Sequence, residues 1–434
     1  MNTQRAITPG VVARPCRVAL AGFGTVGRSA AQLLQHNPED VELVTVLTRR
    51  AAARRGELAD ARVRWTESID EALDGCDVFV ELIGGIDPAA RWIRTALERG
   101  ISVVTANKQL MAGDGPALLA LAAARGCQLR FEGSVAGGIP VLRAIESGLA
   151  GDAISQVAGI LNGTCNYILT RIEADGATFE AALAEAQALG FAEADPSQDI
   201  EGLDARAKLA ILAMVALRLQ VRAADMPVAS IAAVTPFDFT YAHRLHSTIR
   251  QVAWATRRGS SRVLAAGVGP ALVPLTSPLA RVNGSENLVT VTGAFGGETS
   301  FGGRGAGGDP TGVAVVSDVL AIARGARLPG GWRVVPADAV STEFVTPYYV
   351  RFTVADGPGI IAALASVFAA EAINIDAILQ EPGFPASARP FVVSLDPAPS
   401  GAVRRALEQI GALDFNVAPP LAMPVLRGGA PEAV

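Results

Sequence analysis

Near its start the chain runs from the apolar stretch Arg17 to Ala21 straight into Gly22-Phe23-Gly24-Thr25-Val26-Gly27, and this hexapeptide constrains the fold more than any other feature. A strand that breaks on G-x-G-x-x-G and resumes as a helix leaves few options. Gly22 permits the tight turn, Gly24 lets main chain approach a pyrophosphate, and Gly27 lets the helix pack closely on the strand; the N–H groups of the helix start then face an anion. The surroundings agree. A helix over Val26 to Gln35 stops at Asn37 and Pro38, and Val41 to Leu47 is a β-branched second strand. Val78 to Ile83, Ile101 to Thr105 and Gln128 to Phe131 read as further strands, separated by helices over Ala89 to Arg99 and Ala117 to Arg125. Strands alternating with helices predict a parallel, doubly wound α/β sheet carrying a dinucleotide.

The acidic residue expected after the second strand, which would hold a ribose 2′-hydroxyl, is absent: Thr48, Arg49 and Arg50 stand there. A guanidinium can pair with a 2′-phosphate, so Arg49 points towards NADP over NAD. A solvated basic loop, with Arg54 and Arg55 close by, is the alternative.

After Pro140 the pattern changes, with a strand at Ala153 to Leu161 and helices near Thr164 to Ala174 and Phe179 to Leu189, which marks a second, α+β domain. Gly293 to Gly312 holds nine glycines in twenty residues, too dense for a helix or an ordinary strand, and a helix over Val313 to Arg324 follows. Composition leaves a flexible linker and a backbone wrapped on a ligand equally open. From Tyr348 to Arg427 the order is strand Tyr349 to Val354, helix Gly359 to Ala370, strands Ile373 to Leu379 and Phe391 to Leu395, helix Gly401 to Ile410, and a last strand near Leu421 to Leu426. That βαββαβ order is the ferredoxin-like split motif.

Composition removes several classes of function. With 37 basic and 42 acidic residues the net charge is −5, and no polyanion-binding balance is visible. Nucleic acid is not an expected partner. His36, His243 and His246 are the only histidines, which leaves little for a histidine-built metal site or triad; His243 and His246, three apart on an expected helix, read as structural. Cys16, Cys76, Cys127 and Cys165 form no C-x-x-C pair, and Cys165 reads as packing rather than as a nucleophile. Met1 to Arg14 lacks the apolar core of a secretory signal, and the uncharged stretch Val263 to Ala280 carries Gly267, Gly269, Pro270, Pro274 and Pro278, unsuited to a membrane-spanning helix. A soluble, cytoplasmic protein is the expectation.

Proton chemistry must then fall to other groups. Asp204 and Lys208, four apart, share one face of a helix. An exposed ion pair would be worth little, but Leu209 to Leu217 is apolar all round and marks a buried helix, so the pair points into protein. A lysine held partly out of water suits transfer of a proton to or from a substrate oxygen. Upstream, Glu193, Asp195, Asp199 and Glu201 gather carboxylates, some as caps or solvated loop, which suit a substrate bearing an ammonium group.

The glycine turn, Thr105-Ala-Asn-Lys108, Phe131-Glu132-Gly-Ser-Val135-Ala-Gly137-Gly-Ile139-Pro140, Gly159-Ile-Leu-Asn162-Gly163-Thr164-Cys165-Asn166-Tyr167 and the run Glu193 to Lys208 together strongly resemble homoserine dehydrogenase. The resemblance covers nearly the whole chain and suggests the monofunctional form with a C-terminal ACT domain. It implies a Rossmann-type nucleotide domain over 15–140 and 305–340, an α+β catalytic and dimerisation domain over 141–304 and a ferredoxin-like ACT domain over 347–427. The implied reaction is NAD(P)-dependent interconversion of L-homoserine and L-aspartate 4-semialdehyde, on the route to threonine, methionine and isoleucine. By the same resemblance Lys208 is the proton donor and acceptor, Glu193 and Asp204 hold the substrate, and Lys108 is a cofactor contact and catalytic helper. Cofactor contacts fall on Gly22, Phe23, Gly24, Thr25, Val26, Gly27, Arg49, Lys108, Gly190, Gly305 and Gly307. Gly305-Ala-Gly307-Gly308-Asp309-Pro310-Thr311 matches a returning segment that touches the cofactor, which joins it to the nucleotide domain.

Glu132, Val135, Gly137 and Ile139 match positions that bind a monovalent cation, Na or K, through one carboxylate and backbone carbonyls. Asp356-Gly-Pro358-Gly359 followed by Asn374-Ile-Asp376 resembles an ACT domain's first turn and second strand, with L-threonine as the effector it implies. The third strand ends Ser394-Leu395-Asp396 where relatives carry a threonine-histidine pair, so a purely dimer-building role stands beside regulation. A homodimer or homotetramer is implied. Another NAD(P)-dependent amino-acid oxidoreductase, or a non-enzymatic ACT sensor of amino acids, are the competing readings.

Overall fold

The structure, a computed structural model, describes residues 14–58, 60–257, 259, 261–326, 334–426 and 432–433. The segment read as lacking a signal therefore lies outside the described residues up to position 13, as does Arg427 at the end of the third unit. The chain divides into two compact units. One takes in the chain up to Leu110, Ala117–Gly133 and a segment from Gly307; the other takes Met111–Pro116, Ser134–Ala306 and the C-terminal part.

In the first unit β1 (Cys16–Ala21), α1 (Thr25–Gln35), β2 (Val41–Leu47), α2 (Ala51–Arg54), β3 (Arg64–Thr66), α3 (Ile69–Leu73), β4 (Val78–Glu81), α4 (Ala89–Glu98), β5 (Ser102–Thr105), α5 (Lys108–Ala124) and β6 (Leu129–Arg130) follow in order. The strands form one parallel sheet, β3-β2-β1-β4-β5-β6. The order reverses between β1 and β4, and that is where a doubly wound sheet opens a crevice at its carboxyl edge. Val18, Leu20, Val46, Val78 and Val80 are wholly buried, as continuous apolar strands covered on both faces must be. One helix differs from expectation. α5 starts at Lys108, nine residues before the helix predicted from Ala117, because Asn107 caps it by accepting from the Leu110 N–H at 3.1 Å and Pro116 is carried inside.

The second unit continues with α6 (Val141–Arg143), β7 (Ile154–Ile160), α7 (Gly163–Asp175), α8 (Phe179–Ala188), α9 (Ser197–Ile200), α10 (Leu203–Ala216), β8 (Leu219–Gln220), α11 (Pro236–Arg244), β9 (Ser247–Arg257), β10 (Val263–Pro274), β11 (Glu286–Gly293) and β12 (Gly297–Arg304). The sequence reading missed the long β9–β10 hairpin, whose prolines and glycines mask its alternation. The glycine-rich tract holds a strand after all. β12 pairs antiparallel with β11 from Glu286↔Arg304 to Gly293↔Gly297, and it sits at the sheet edge, where a regular neighbour can template a strand that buries little itself. His243 and His246 do not share a helix. His243 ends α11 and bonds Glu173 at 2.8 Å, while His246 lies beyond the helix with φ +51°.

The chain then returns to the first unit as α12 (Gly308–Ala323), whose Val315, Val316 and Val319 join that unit's core. Back in the second unit lie β13 (Val335–Pro336), paired with β8, and β14 (Ala339–Ser341), which completes the mixed sheet β12-β11-β7-β9-β10-β14. β15 (Phe344–Val354), α13 (Ile360–Ala370), β16 (Ile375–Leu379), β17 (Arg389–Pro399), α14 (Ser400–Gly411) and β18 (Asn416–Pro424) make an antiparallel sheet ordered β16-β17-β15-β18, the ferredoxin-like arrangement; β19 (Glu432–Ala433) adds to β15. Period-two alternation sorts β15. Tyr348, Val350, Phe352 and Val354 pack with Leu364 and Phe368 of α13, whereas Tyr349 faces a core shared with Ile168, Leu169 and Phe239. There Asp238, wholly buried, accepts the Tyr349 hydroxyl at 2.8 Å and ion-pairs with Arg351. Among the described residues no helix is long and apolar enough to cross a membrane.

Candidate active site

In the first unit the glycine turn is built from main chain. Gly22 has φ +96°, and a Cβ on it would lie 2.6 Å from the Leu82 carbonyl oxygen. A Cβ on Gly27 would meet the Gly22 carbonyl oxygen at 2.2 Å, so neither position admits a side chain without displacing backbone. At Gly24, the N-cap of α1, no non-neighbouring atom of the described residues lies within 4 Å of the Cβ position; the cap has no side chain to bond the helix, and no acid occupies its first turn. Bare N–H groups over a positive helix end are what a pyrophosphate needs. α12 begins beside them: a Cβ on Gly308 would stand 2.8 Å from Thr25 Cγ2, and Ser29 donates to Asp309 at 2.7 Å. Two helix starts thus lie side by side.

Phe23, the variable residue of the turn, is buried with its ring edge-on to Trp65 at 4.9 Å and Arg28 over its face. Its carbonyl accepts from Arg54, while Arg49 and Arg50 are exposed. Sequence reasoning missed Glu81, fully buried at the end of β4. It accepts the Ile83 and Gly84 N–H groups at 2.8 and 3.1 Å and the Thr105 hydroxyl at 2.6 Å. Thr105 accepts from the Asn107 N–H, and Asn107 donates to the Gly85 carbonyl at 2.6 Å. This chain of bonds ties the ends of β4 and β5 together where Lys108 begins α5. A lone glutamate inside an apolar strand was the available signal.

In the second unit the site is made of side chains. Lys208 donates to Asp204 Oδ2 at 2.7 Å and to the Leu161 carbonyl at 2.8 Å; the two side chains are 12% and 6% exposed. Asn162 donates to Asp204 Oδ2 at 2.9 Å and Asp199 Oδ1 at 2.6 Å. Burial pushes the Asp199 carboxyl up, opposed by the Asn162 hydrogen bond and reinforced by the Asp204 charge. Cys165 is buried and bonds the Asp199 carbonyl at 3.1 Å; burial, then the Asp199 charge, raise its thiol well above the ordinary range, so it is inert packing. Glu193 stays exposed on the loop after α8, outside this bonded set, and Asp195 caps Ser197 at 3.1 Å. Gly190 is left-handed just past α8, a helix stop.

The segment after β6 turns sharply. Ala136 and Gly137 are both left-handed, at φ +54° and +51°, and a Cβ on Gly137 would lie 2.6 Å from the Gly305 carbonyl oxygen. Glu132 is buried, with its N–H on Asp318 at 2.9 Å. In the ferredoxin-like unit Ser394 donates to Asp376 at 3.0 Å and Asn374 to Asp396 at 2.5 Å, so both polar groups of the third strand's end are paired within the unit.

Comparison with known proteins matches a homoserine dehydrogenase NAD-binding domain to residues 22–132, a homoserine dehydrogenase domain to 140–320 and an ACT domain to 348–412. The homoserine dehydrogenase of Mycobacterium tuberculosis is 42% identical over 387 residues, covering 85% of this chain and 87% of its own. That of Bacillus subtilis is 38% identical over 390 residues, covering 84% and 88%. The crystal structure of a homoserine dehydrogenase from Thiobacillus denitrificans superposes with a TM-score of 0.86 at 32% identity, covering 95% of this chain and 98% of that one. With these family domains matched in order along the chain and relatives of 38–42% identity aligned over most of it, this chain belongs to the homoserine dehydrogenase family.

Proposed function

We propose that the protein interconverts L-homoserine and L-aspartate 4-semialdehyde, with Lys208 as the proton-handling group. The observation that carries this reading is the buried Lys208–Asp204 pair at the start of an apolar helix. An ammonium has three N–H donors, and two of those of Lys208 go to Asp204 and the Leu161 carbonyl; the third is available to a substrate oxygen. In the oxidative direction the neutral amine takes the hydroxyl proton as the C–O bond becomes a carbonyl. In reduction the ammonium stabilises the developing alkoxide and returns that proton. Glu193 and Asp204 supply carboxylates to the substrate's amino group.

Hydride capacity is what a bound nicotinamide supplies. The bare helix start at Gly24 and the close approach of Gly27 to Gly22 fit its pyrophosphate. We assign Gly22, Phe23, Gly24, Thr25, Val26 and Gly27, with Gly190, Gly305 and Gly307, to the dinucleotide, Arg49 to a 2′-phosphate, hence NADP over NAD, and Lys108 to the nicotinamide end. Glu132 with the carbonyls of Val135, Gly137 and Ile139 is the ligand set for a monovalent cation, Na or K. One carboxylate and backbone oxygens at a doubly left-handed turn suit a hard ion. We divide the chain into a nucleotide domain over 15–140 and 305–340, a catalytic and dimerisation domain over 141–304 and an ACT domain over 347–427, working as a cytoplasmic homodimer or homotetramer. For the ACT unit, L-threonine regulation and dimer building are the two roles.

A spectrophotometric assay with L-homoserine and each nicotinamide cofactor tests the reading. Reduction of the cofactor, faster with NADP and dependent on Na or K, is expected. An absence of turnover with either cofactor removes it and favours an ACT sensor. Added L-threonine separates regulation from a building role.

A further inference from the structure

Residues 161 and 162 serve the lysine from both sides. Leu161 offers it a carbonyl, and Asn162 offers N–H donors to Asp204, the lysine's ion-pair partner, and to the neighbouring Asp199. The amide's orientation is fixed by its own oxygen. As N-cap of α7, Asn162 Oδ1 accepts the Cys165 N–H at 2.8 Å, so only the Nδ2 end faces Asp199 and Asp204. Every hydrogen-bonding group of this side chain is thereby used, and the residue is 4% exposed. Asp204 Oδ2 receives both Asn162 and Lys208, so the amide and the lysine hold one oxygen between them.

We propose that Asn162 is a positioning residue for the dehydrogenase reaction, its amide pinning Asp204 against Lys208 while holding Asp199 as a separate, second carboxylate. The inference rests on the assignment of Lys208 made above. Without a donor between them, two neighbouring carboxylates would share the lysine, and its ammonium would no longer keep one geometry. Besides Asn162, the groups facing Asp199 are Asp204 and Lys208 from α10, the Thr164 hydroxyl and the neutral thiol of Cys165 from α7, and the uncharged amide of Gln251 from β9, whose Nε2 donates to the Asp199 carbonyl at 3.4 Å. Asn162 is thus the neutral donor that separates two negative charges.

Asn162→Ser and Asn162→Asp both retain an oxygen able to cap α7, so a role in capping alone predicts little change. Under the proposal, kcat/KM for homoserine falls about ten- to a hundredfold, as expected when hydrogen bonds to charged groups are lost. KM for the cofactor holds. A second readout needs no substrate. A carboxyl whose folded pKa lies above its unfolded one costs stability as pH rises through that interval, and removing Asn162 raises the folded value of Asp199 further. The melting-temperature deficit of Asn162→Ser should therefore grow as pH rises above the ordinary aspartate range, where a lost cap would give a constant deficit. Asn162→Asp sets a further carboxylate directly against Asp204, so its loss should exceed that of Asn162→Ser. Variants with the parent's kcat/KM and a pH-independent deficit overturn the inference. A parent inactive on homoserine overturns the functional reading instead, and the melting profile still reports the amide.

Discussion

Each of the two units holds a candidate site that starts at a helix N-terminus, and the two differ in what fills it. At α1 nothing among the described residues does: the cap is Gly24, which has no side chain to accept from the helix N–H groups, and a glycine-built turn holds them where an anion can reach. At α7 the cap is Asn162, whose oxygen satisfies the helix while its nitrogen reaches out to Asp199 and Asp204. The same backbone feature becomes a ligand site when bare and a scaffold for side chains when capped. Under the proposed function, substrate chemistry and cofactor binding would then fall to groups that can be damaged separately.

The sharpest way to break the comparison is Lys208→Ala. It should lower kcat about a thousandfold, within the range general acid–base groups contribute, and leave cofactor affinity unchanged. Stopped-flow and steady-state kinetics with NADP check it; turnover close to the parent's would remove Lys208 from the chemistry. Gly27→Ala should do the reverse. Its methyl would sit 2.2 Å from the Gly22 oxygen, so the turn must open, and cofactor affinity should fall about a hundredfold as overpacked backbone shifts. Calorimetric titration measures it, with circular dichroism to confirm that the chain is folded.

The two halves were not equally legible. The glycine turn is contiguous, each of its residues acts through backbone, and the parallel sheet around it follows from alternating strands and helices, so sequence spacing alone located it. Asp204 and Lys208 were found because i,i+4 spacing on an apolar helix is also a local signal. Asn162 lies forty-two positions from Asp204, and no spacing rule brings an N-cap on one helix to a carboxylate on another. The β9–β10 hairpin was lost for a related reason: its strands carry Gly267, Gly269 and Pro270, tolerated because pairing partners on β9, from Gln251 to Trp254, supply the order. β12 within the glycine tract is the same case.

Glu81 tests whether the nucleotide half has its own side-chain scaffold. Glu81→Ala strips acceptors from the Ile83 and Gly84 N–H groups and from Thr105, all near the rim of the sheet. Leaving the buried Thr105 hydroxyl without its acceptor should cost about 2 kcal/mol of stability, read by urea denaturation, and weaken cofactor binding more than kcat. A loss confined to kcat would mean that β4 and β5 serve the chemistry rather than the turn.

The smallest effect is expected at Arg49. It is exposed beyond β2, and an exposed charge pair is worth little, so Arg49→Ala should reduce the NADP over NAD ratio of kcat/KM only about fivefold. The change should lie wholly in the NADP arm, since NAD has no 2′-phosphate to lose, and it should shrink at high ionic strength as the charge is screened. Arg54 supplies the contrast. Its guanidinium is already bound to the Phe23 carbonyl, so it must give up that bond to reach a phosphate, whereas Arg49 gives up only water. A ratio unchanged in Arg49→Ala but lowered in Arg54→Ala would move phosphate recognition from the exposed loop onto the glycine turn itself, and the bare helix start of the first unit would then depend on one side chain after all.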